Sequence, residues 1–251
     1  YQQAVSVFTE LKTQVPKGPD AQRGLAISNI KLGVLYDELG NPDKSSEIYQ
    51  ETIKQLREMK KQWPDDESLV KTLASALSNS ASLHAKRGQN REARAKVLES
   101  LELFKEIQSA SSRDPEMAIE RANALNLAGI IHFQEGQVEK AGDTFREGVS
   151  QFDQLLESDK ENPDYLQSRA ALLISLAITS KELGDTRAEL KSYQQALESY
   201  QVLVTAIPDV PVFQENQAVA QADLGQLYFE IHDLETAITL LHEATTTFSN
   251  L

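Results

Sequence analysis

Three kinds of side-chain cluster in this 251-residue chain could do chemistry. The first is acidic: Asp65, Asp66 and Glu67 stand together, and Glu157, Asp159, Glu161 and Asp164 crowd a second stretch. Neighbouring carboxylates can hold a hard cation, but a calcium loop needs oxygen ligands at alternating positions, and neither run has that spacing. At the start of a helix the same acids are stabilised by the helix dipole, which is the role expected of both runs. The second kind is imidazole. His242-Glu243-Ala244-Thr245-Thr246 begins as a zinc-protease helix does, yet a threonine stands where the second histidine belongs, and one imidazole does not hold a catalytic zinc. His84 and His132 share a position in the pattern described below and are expected to pack between helices. The third kind is basic. Lys86, Arg87, Arg91 and Arg94, with Lys96 beyond them, have only Glu92 in their midst. Arginine binds phosphate and carboxylate bidentately, so these four are a candidate dock for an acidic or phosphorylated partner, against the alternative of a solvated turn.

No glycine-rich phosphate loop, nucleophile elbow or kinase signature is present, and no cysteine, so disulfides, thiolate catalysis and cysteine-held metals are excluded. The expectation is a chain without catalytic residues, metal or cofactor. Thirty-eight acidic against 25 basic residues give a net charge of −13, which opposes approach to nucleic-acid phosphates. Hydrophobic residues at 40% and charged residues at 25% are the proportions of a folded, non-membrane chain. Its longest apolar stretch, Ala170 to Ile178, is broken by Ser175 and falls well short of the ~18 residues that span a bilayer. No leader-like segment opens the chain, a cytoplasmic location is expected, and a first residue of Tyr1 is read as the start of a fragment of a longer protein.

The elements that hold these side chains repeat. Gly40, Gly88, Gly136 and Gly184 stand 48 residues apart, with His232 in the fifth place. Each ends a stretch of helical apolar periodicity, where left-handed dihedrals suit glycine best and histidine tolerably. Seven of the eight prolines mark the opposite boundary: Pro19, Pro115, Pro163 and Pro211 in one column, and Pro16, Pro64 and Pro208 three residues earlier. Nine residues after each corner come Tyr49, Val97, Phe145, Tyr193 and Leu241; sixteen after come Leu56, Phe104, Phe152, Tyr200 and Phe248. At twelve the residue stays small: Thr52, Ser100, Gly148, Ala196, Ala244. Those offsets trace one face of an α-helix, and small residues on it let a neighbour come close. Tyr1, Ala4, Val5, Phe8 and Leu11 match the same columns one period upstream, so the chain is expected to open inside the second helix of a repeat.

Before each corner lies a first helix, clearest in Leu32-Gly33-Val34-Leu35-Tyr36 and Leu224-Gly225-Gln226-Leu227-Tyr228. Leu-Gly-x-x-Tyr, then Gly, a small residue and an aromatic, resembles the tetratricopeptide repeat. In the first copy the matching residues are Leu32, Gly33, Tyr36, Gly40, Ser45, Tyr49 and Thr52; the second copy departs most, with Ser80 and His84 in the leucine and tyrosine places. A period of 48 instead of 34 lengthens each helix to ~20 residues. The long form is similar to the repeats of kinesin light chains, and in motif texture to the arrays attached to serine/threonine protein kinases of planctomycete-type bacteria.

The resemblance implies an all-α, right-handed solenoid of antiparallel helix pairs: an orphan helix over 1–15, then pairs at about 19–63, 66–111, 115–159, 163–207 and 211–251 of a single domain. It also implies a partner. First helices of such arrays line a concave face that binds peptides, which places Ile27, Ile30, Val34 and Asp37 there, with Ser75, Ser78, Ser82 and Ala85, followed by Asn123, Asn126, Ile130 and Phe133, then Ala171, Ile174, Ile178 and Lys181, then Val219, Ala222, Gln226 and Phe229. Asn123 and Asn126 can each pair with a peptide backbone as donor and acceptor, and Phe133 and Phe229 offer apolar anchors. The expected function is a protein-interaction scaffold; the alternative is the non-catalytic regulatory region of a larger enzyme such as a bacterial serine/threonine kinase. Apolar edges at Phe8 and Leu11 and at Phe248 and Leu251 suggest self-association or cover by other parts of a parent protein.

Overall fold

At every expected corner the backbone turns through one left-handed residue. φ is 73°, 71°, 73° and 70° at Gly40, Gly88, Gly136 and Gly184, and 67° at His232. The Gly40 amide donates to the Asp37 carbonyl at 2.9 Å and the Asn41 amide to the Tyr36 carbonyl at 2.8 Å, and the same two bonds recur at the other four corners. Together they satisfy last-turn carbonyls that a helix end otherwise leaves orphaned. The residue closing each turn also opens the next helix. Side chains of Asn41, Asp185 and Asp233 accept from the amides of Lys44, Ala188 and Thr236 at 3.3, 3.0 and 3.2 Å.

The computed structural model describes residues 19–107 and 115–251. They form ten α-helices and no strand: α1 Pro19–Glu38, α2 Pro42–Gln62, α3 Glu67–Lys86, α4 Asn90–Ile107, α5 Pro115–Gln134, α6 Val138–Ser158, α7 Pro163–Glu182, α8 Thr186–Ala206, α9 Pro211–Glu230 and α10 Leu234–Asn250. Proline heads α1, α5, α7 and α9, where its missing amide costs nothing, and Asn162 caps α7 by accepting from Asp164 and Tyr165 at 3.1 and 3.2 Å. The orphan helix expected over 1–15, with Phe8 and Leu11, lies outside the described residues.

The chain divides into two compact units at Leu127/Ala128, within α5. In the first, α1 packs on α2 and α3 on α4 as hairpins, α2 lies against α3, and the first helices α1 and α3 also touch. Its fully buried large side chains include Tyr49, Leu56, Leu69, Leu77 and Phe104, each contributing on the order of 1.5–3 kcal/mol. In the second, α6 packs on α7, α7 on α8, α8 on α9 and α9 on α10. Phe145, Phe152, Leu172, Leu173 and Leu203 are its buried anchors, with the Phe152 and Tyr165 rings 6.4 Å apart and tilted. The small column is inside: Thr52, Ser100, Gly148, Ala196 and Ala244 are all buried, and Ser100 Oγ donates to the Ala74 carbonyl of α3 at 2.7 Å.

Charge separates with the units. Residues 1–127 carry 18 acidic and 18 basic residues, whereas 128–251 carry 20 acidic and 7 basic, so the whole net charge of −13 belongs to the second unit. No described helix is long and apolar enough to cross a membrane.

Candidate partner-binding groove on the first helices

In the first unit, α1, α3 and the start of α5 bound a groove. One section, of about 460 Å³, has Ile27, Ile30 and Val34 of α1 on one wall and Glu116 and Glu120 of α5 on the other, with Thr72, Ser75 and Asn79 of α3 between them. A second section of about 290 Å³ shares Ser75, Asn79 and Glu120 and continues along Ser78, Ser82, Asn123 and Leu127. Lining residues fall at spacings of four and three: 23, 27, 30 and 34 on α1, and 116, 120, 123 and 127 on α5. That spacing keeps side chains on one side of a helix, and it is why each wall is continuous.

Part of this lining is already tied up. Lys71 pairs with Glu116 at 2.8 Å, Asn79 Nδ2 donates to the Ser75 carbonyl at 2.9 Å, and the Ser75 hydroxyl meets the Glu120 carboxylate. Arg23 pairs with Asp20 at 2.8 Å and with Asp66 at 3.3 Å. Other groups are not engaged. Among the described residues the side chains of Ser78, Ser82 and Asn123 make no hydrogen bond, although mid-helix hydroxyls such as those of Thr72 and Ser75 bond back to the carbonyl four residues earlier. Lys31, exposed on the α1 wall, makes no ion pair among the described residues. Ile27 is 41% exposed and Val34 half-buried, while Ile30 lies at the groove bottom with 9% exposure. The arrangement can grip an extended chain: apolar contact on one wall, donors and acceptors along the floor.

The remaining expected residues are placed as follows. Asn126 is half-buried and outside the lining of both sections, with a buried Oδ1 that lacks a partner among the described residues. In the second unit Ile130, Ile178 and Phe229 are exposed, Phe133 and Ile174 half-buried. Lys181 pairs with Glu230 at 3.1 Å, and Gln226 Nε2 donates to the same carboxylate at 3.3 Å. These bonds raise the Lys181 pKa and lower that of Glu230. Burial pushes up the carboxyls of nearby Glu189 and Asp223, and the same burial, with Asp223, Glu189 and Glu230 around it, takes the Tyr193 hydroxyl to about 12. Among the described residues no group of carboxylates and imidazoles could hold a metal ion.

Two members of the basic cluster hold hairpins together. Lys86 pairs with Asp37 and Arg87 with Asp43, at 2.7 and 2.8 Å, both acids standing at the preceding corner. Arg91 is exposed and makes no ion pair among the described residues, and Lys96 has its pKa lowered by burial and by Arg57. His132 is buried in the tyrosine column, and the His84 ring nitrogen Nδ1 lies 2.6 Å from Gln89 Oε1. Sequence reasoning missed Lys31, Lys71, Asn79, Glu116 and Glu120 as groove residues. The signal was there for the acids: they continue the Asn123 stripe two turns toward the α5 N-terminus.

No protein-family model and no curated protein sequence matches the chain. Solved structures do. BtubC from P. vanneervenii superposes with a TM-score of 0.75 at 18% identity, covering 99% of this chain and 88% of that one. The fold is that of a TPR-like helical repeat. The TPR-like repeats of a putative kinesin light chain from Podosopora anserina give 0.64 at 16% identity over 91% and 97% of the two chains. PilF of Pseudomonas aeruginosa gives 0.56 at 14%, over 92% and 78%. At these identities the likeness is one of fold, and it bears out the all-α helical repeat of antiparallel hairpins expected from the 48-residue period.

Proposed function

We propose that the chain is a protein-interaction scaffold whose first-helix groove holds an extended segment of a partner polypeptide. What carries the reading is the line of unengaged polar side chains, Ser78, Ser82 and Asn123, beside the apolar wall of Ile27, Ile30 and Val34. An extended peptide brings backbone amides and carbonyls that need partners once water leaves. A side-chain amide supplies both, hydroxyls supply either, and alternate peptide side chains then reach the isoleucines. The same groove serves if the chain is the non-catalytic regulatory region of a larger enzyme such as a serine/threonine kinase, a reading that adds no residue to the site.

The test selects peptides from a displayed random library on the intact chain and measures their affinity for Ser82→Leu and Asn123→Ala. Loss of binding by both variants, with unchanged melting temperatures, supports the groove. Selected peptides that bind both variants as they bind the parent chain would sink it.

A further inference from the structure

Within the first unit, a recess of about 340 Å³ lies between the second helices α2 and α4. Gln50, Ile53, Lys54, Arg57 and Glu58 of α2 line it, with Lys96 of α4. The ion pairs around it leave two amines over. Of the lysines and arginines on α2, Lys44 pairs with Glu47 at 3.3 Å, Arg57 with Glu99 at 2.7 Å, Lys60 with Glu106 at 2.6 Å and Lys61 with Glu58 at 2.7 Å. The remaining one, Lys54, makes no ion pair among the described residues, and it lines the recess. Lys96 makes none either, although it is half-buried, where a charge without a counterion is costly. Burial and the nearby Arg57 disfavour its charged form, and Glu99, which favours it, is the acid that Arg57 holds. Both Glu99 oxygens take Nη2 of Arg57, at 2.8 and 2.7 Å, so the Nη1 and Nε hydrogens remain to be donated.

These groups specify a ligand. With Arg57 and Glu58 already neutralised, Lys54 and Lys96 supply two positive charges. A carboxylate would compensate one of them, whereas a phosphomonoester carries a charge of about −1.5 to −2 at neutral pH and offers three acceptor oxygens. The recess contacts little beyond such a head group. Ile53, its one apolar side chain, is 3% exposed, and Gln50, Lys54, Arg57 and Glu58 stand exposed around it. The rest of the ligand must be held elsewhere, as a modified residue is held by its own chain. We propose that this recess binds the phosphate of a phosphorylated side chain on a partner polypeptide. None of its residues lines the first-helix groove, so either reading can fail alone.

The experiment follows amide chemical shifts of the intact, isotope-labelled chain during titration with four probes: a short glycine–alanine peptide carrying one phosphoserine, its glutamate and serine twins, and inorganic phosphate. The phosphopeptide should give saturable shifts around Lys54, Arg57 and Lys96, and inorganic phosphate should compete there with no higher affinity. The glutamate and serine twins should bind at least about fivefold more weakly, and Lys54→Gln and Lys96→Gln should each weaken the phosphopeptide by a similar factor. Lys54 is exposed, so Lys54→Gln should melt as the parent does and keeps the test decisive if Lys96→Gln disturbs packing. Equal binding of the phosphoserine and glutamate peptides, undiminished binding by Lys54→Gln, or no saturable shift at these residues would overturn the proposal. So would inorganic phosphate binding at least about fivefold more tightly than the phosphopeptide, since a free anion would then be the occupant.

Discussion

The Tyr49 ring occupies the space that a side chain on Gly33 would need: a Cβ there would sit 2.7 Å from Tyr49 Cε1. Gly129 stands to the Phe145 ring in the same relation, and opposite the smaller Val97 the position is Ala81. In these three hairpins first and second helices thus meet through a size match at one point. Gly33→Ala should cost about 1–3 kcal/mol by overpacking. Gly24, in the same helix, has nothing within 4 Å of an added Cβ, so Gly24→Ala should gain about 0.4–1 kcal/mol. Denaturant titration of both variants checks the pair; equal effects would mean that helix propensity, and not the Tyr49 ring, sets the response.

Gly148 does the same between α6 and α7. Its added Cβ would lie 2.9 Å from Leu172 Cδ1, and Leu172 is 1% exposed with little room to move. Gly148→Leu should destabilise by about 2 kcal/mol or more, read as a lower melting temperature. An unchanged melt would show that the small column is not a contact.

At the corners the response should reverse with the resident residue. Gly136→Ala forces a Cβ into left-handed backbone and should lose about 1–2 kcal/mol. His232, already at φ 67°, carries part of that strain. His232→Gly should therefore raise the melting temperature, and a fall would mean that the imidazole makes a compensating contact.

The second unit should prefer mildly acidic solution. Burial raises the carboxyl pKa of Glu189, 4% exposed, and of Asp223 above their unfolded values. A raised folded pKa gives stability that is full below the unfolded value of about 4 and is lost as pH rises through the folded one. Glu230, held down by Lys181, acts in the opposite sense but is exposed, so its contribution is screened. Glu189→Gln should therefore melt higher than the parent at pH 7, and its advantage should shrink as the solution is acidified. Parallel melting curves for the two chains across that range would count against the assignment.

Much of the fold was legible because the features that encode it are local and recur. A left-handed corner needs one residue, an N-cap one more, and a helical face is visible as spacing, so Gly40, Asn41 and the Tyr49 and Leu56 columns point to the same hairpin in every copy. The groove was less legible. Ser78 and Ser82 could be placed on its face, but whether a hydroxyl bonds back to its own helix or stays open depends on rotamers that spacing does not set. Asn126 shares the Asn123 stripe and still lies outside the groove lining. Lys86 and Arg87 looked like a free cationic patch because their partners, Asp37 and Asp43, lie more than 40 residues earlier in the chain. The charge imbalance could be counted from composition only once the boundary at Leu127/Ala128 was known.

Both hydrogen bonds that close each corner are made by main-chain atoms, and only one residue per turn needs an unusual dihedral. Little of the fold is therefore written in the identities of exposed side chains, and most of each 48-residue stretch is left as unwritten space. Two chains can then agree at fewer than one position in five, as with the 18% shared with BtubC, and still superpose over 99% of one and 88% of the other. In such a protein a new binding preference can be inscribed on the helices without editing the instructions that fold them.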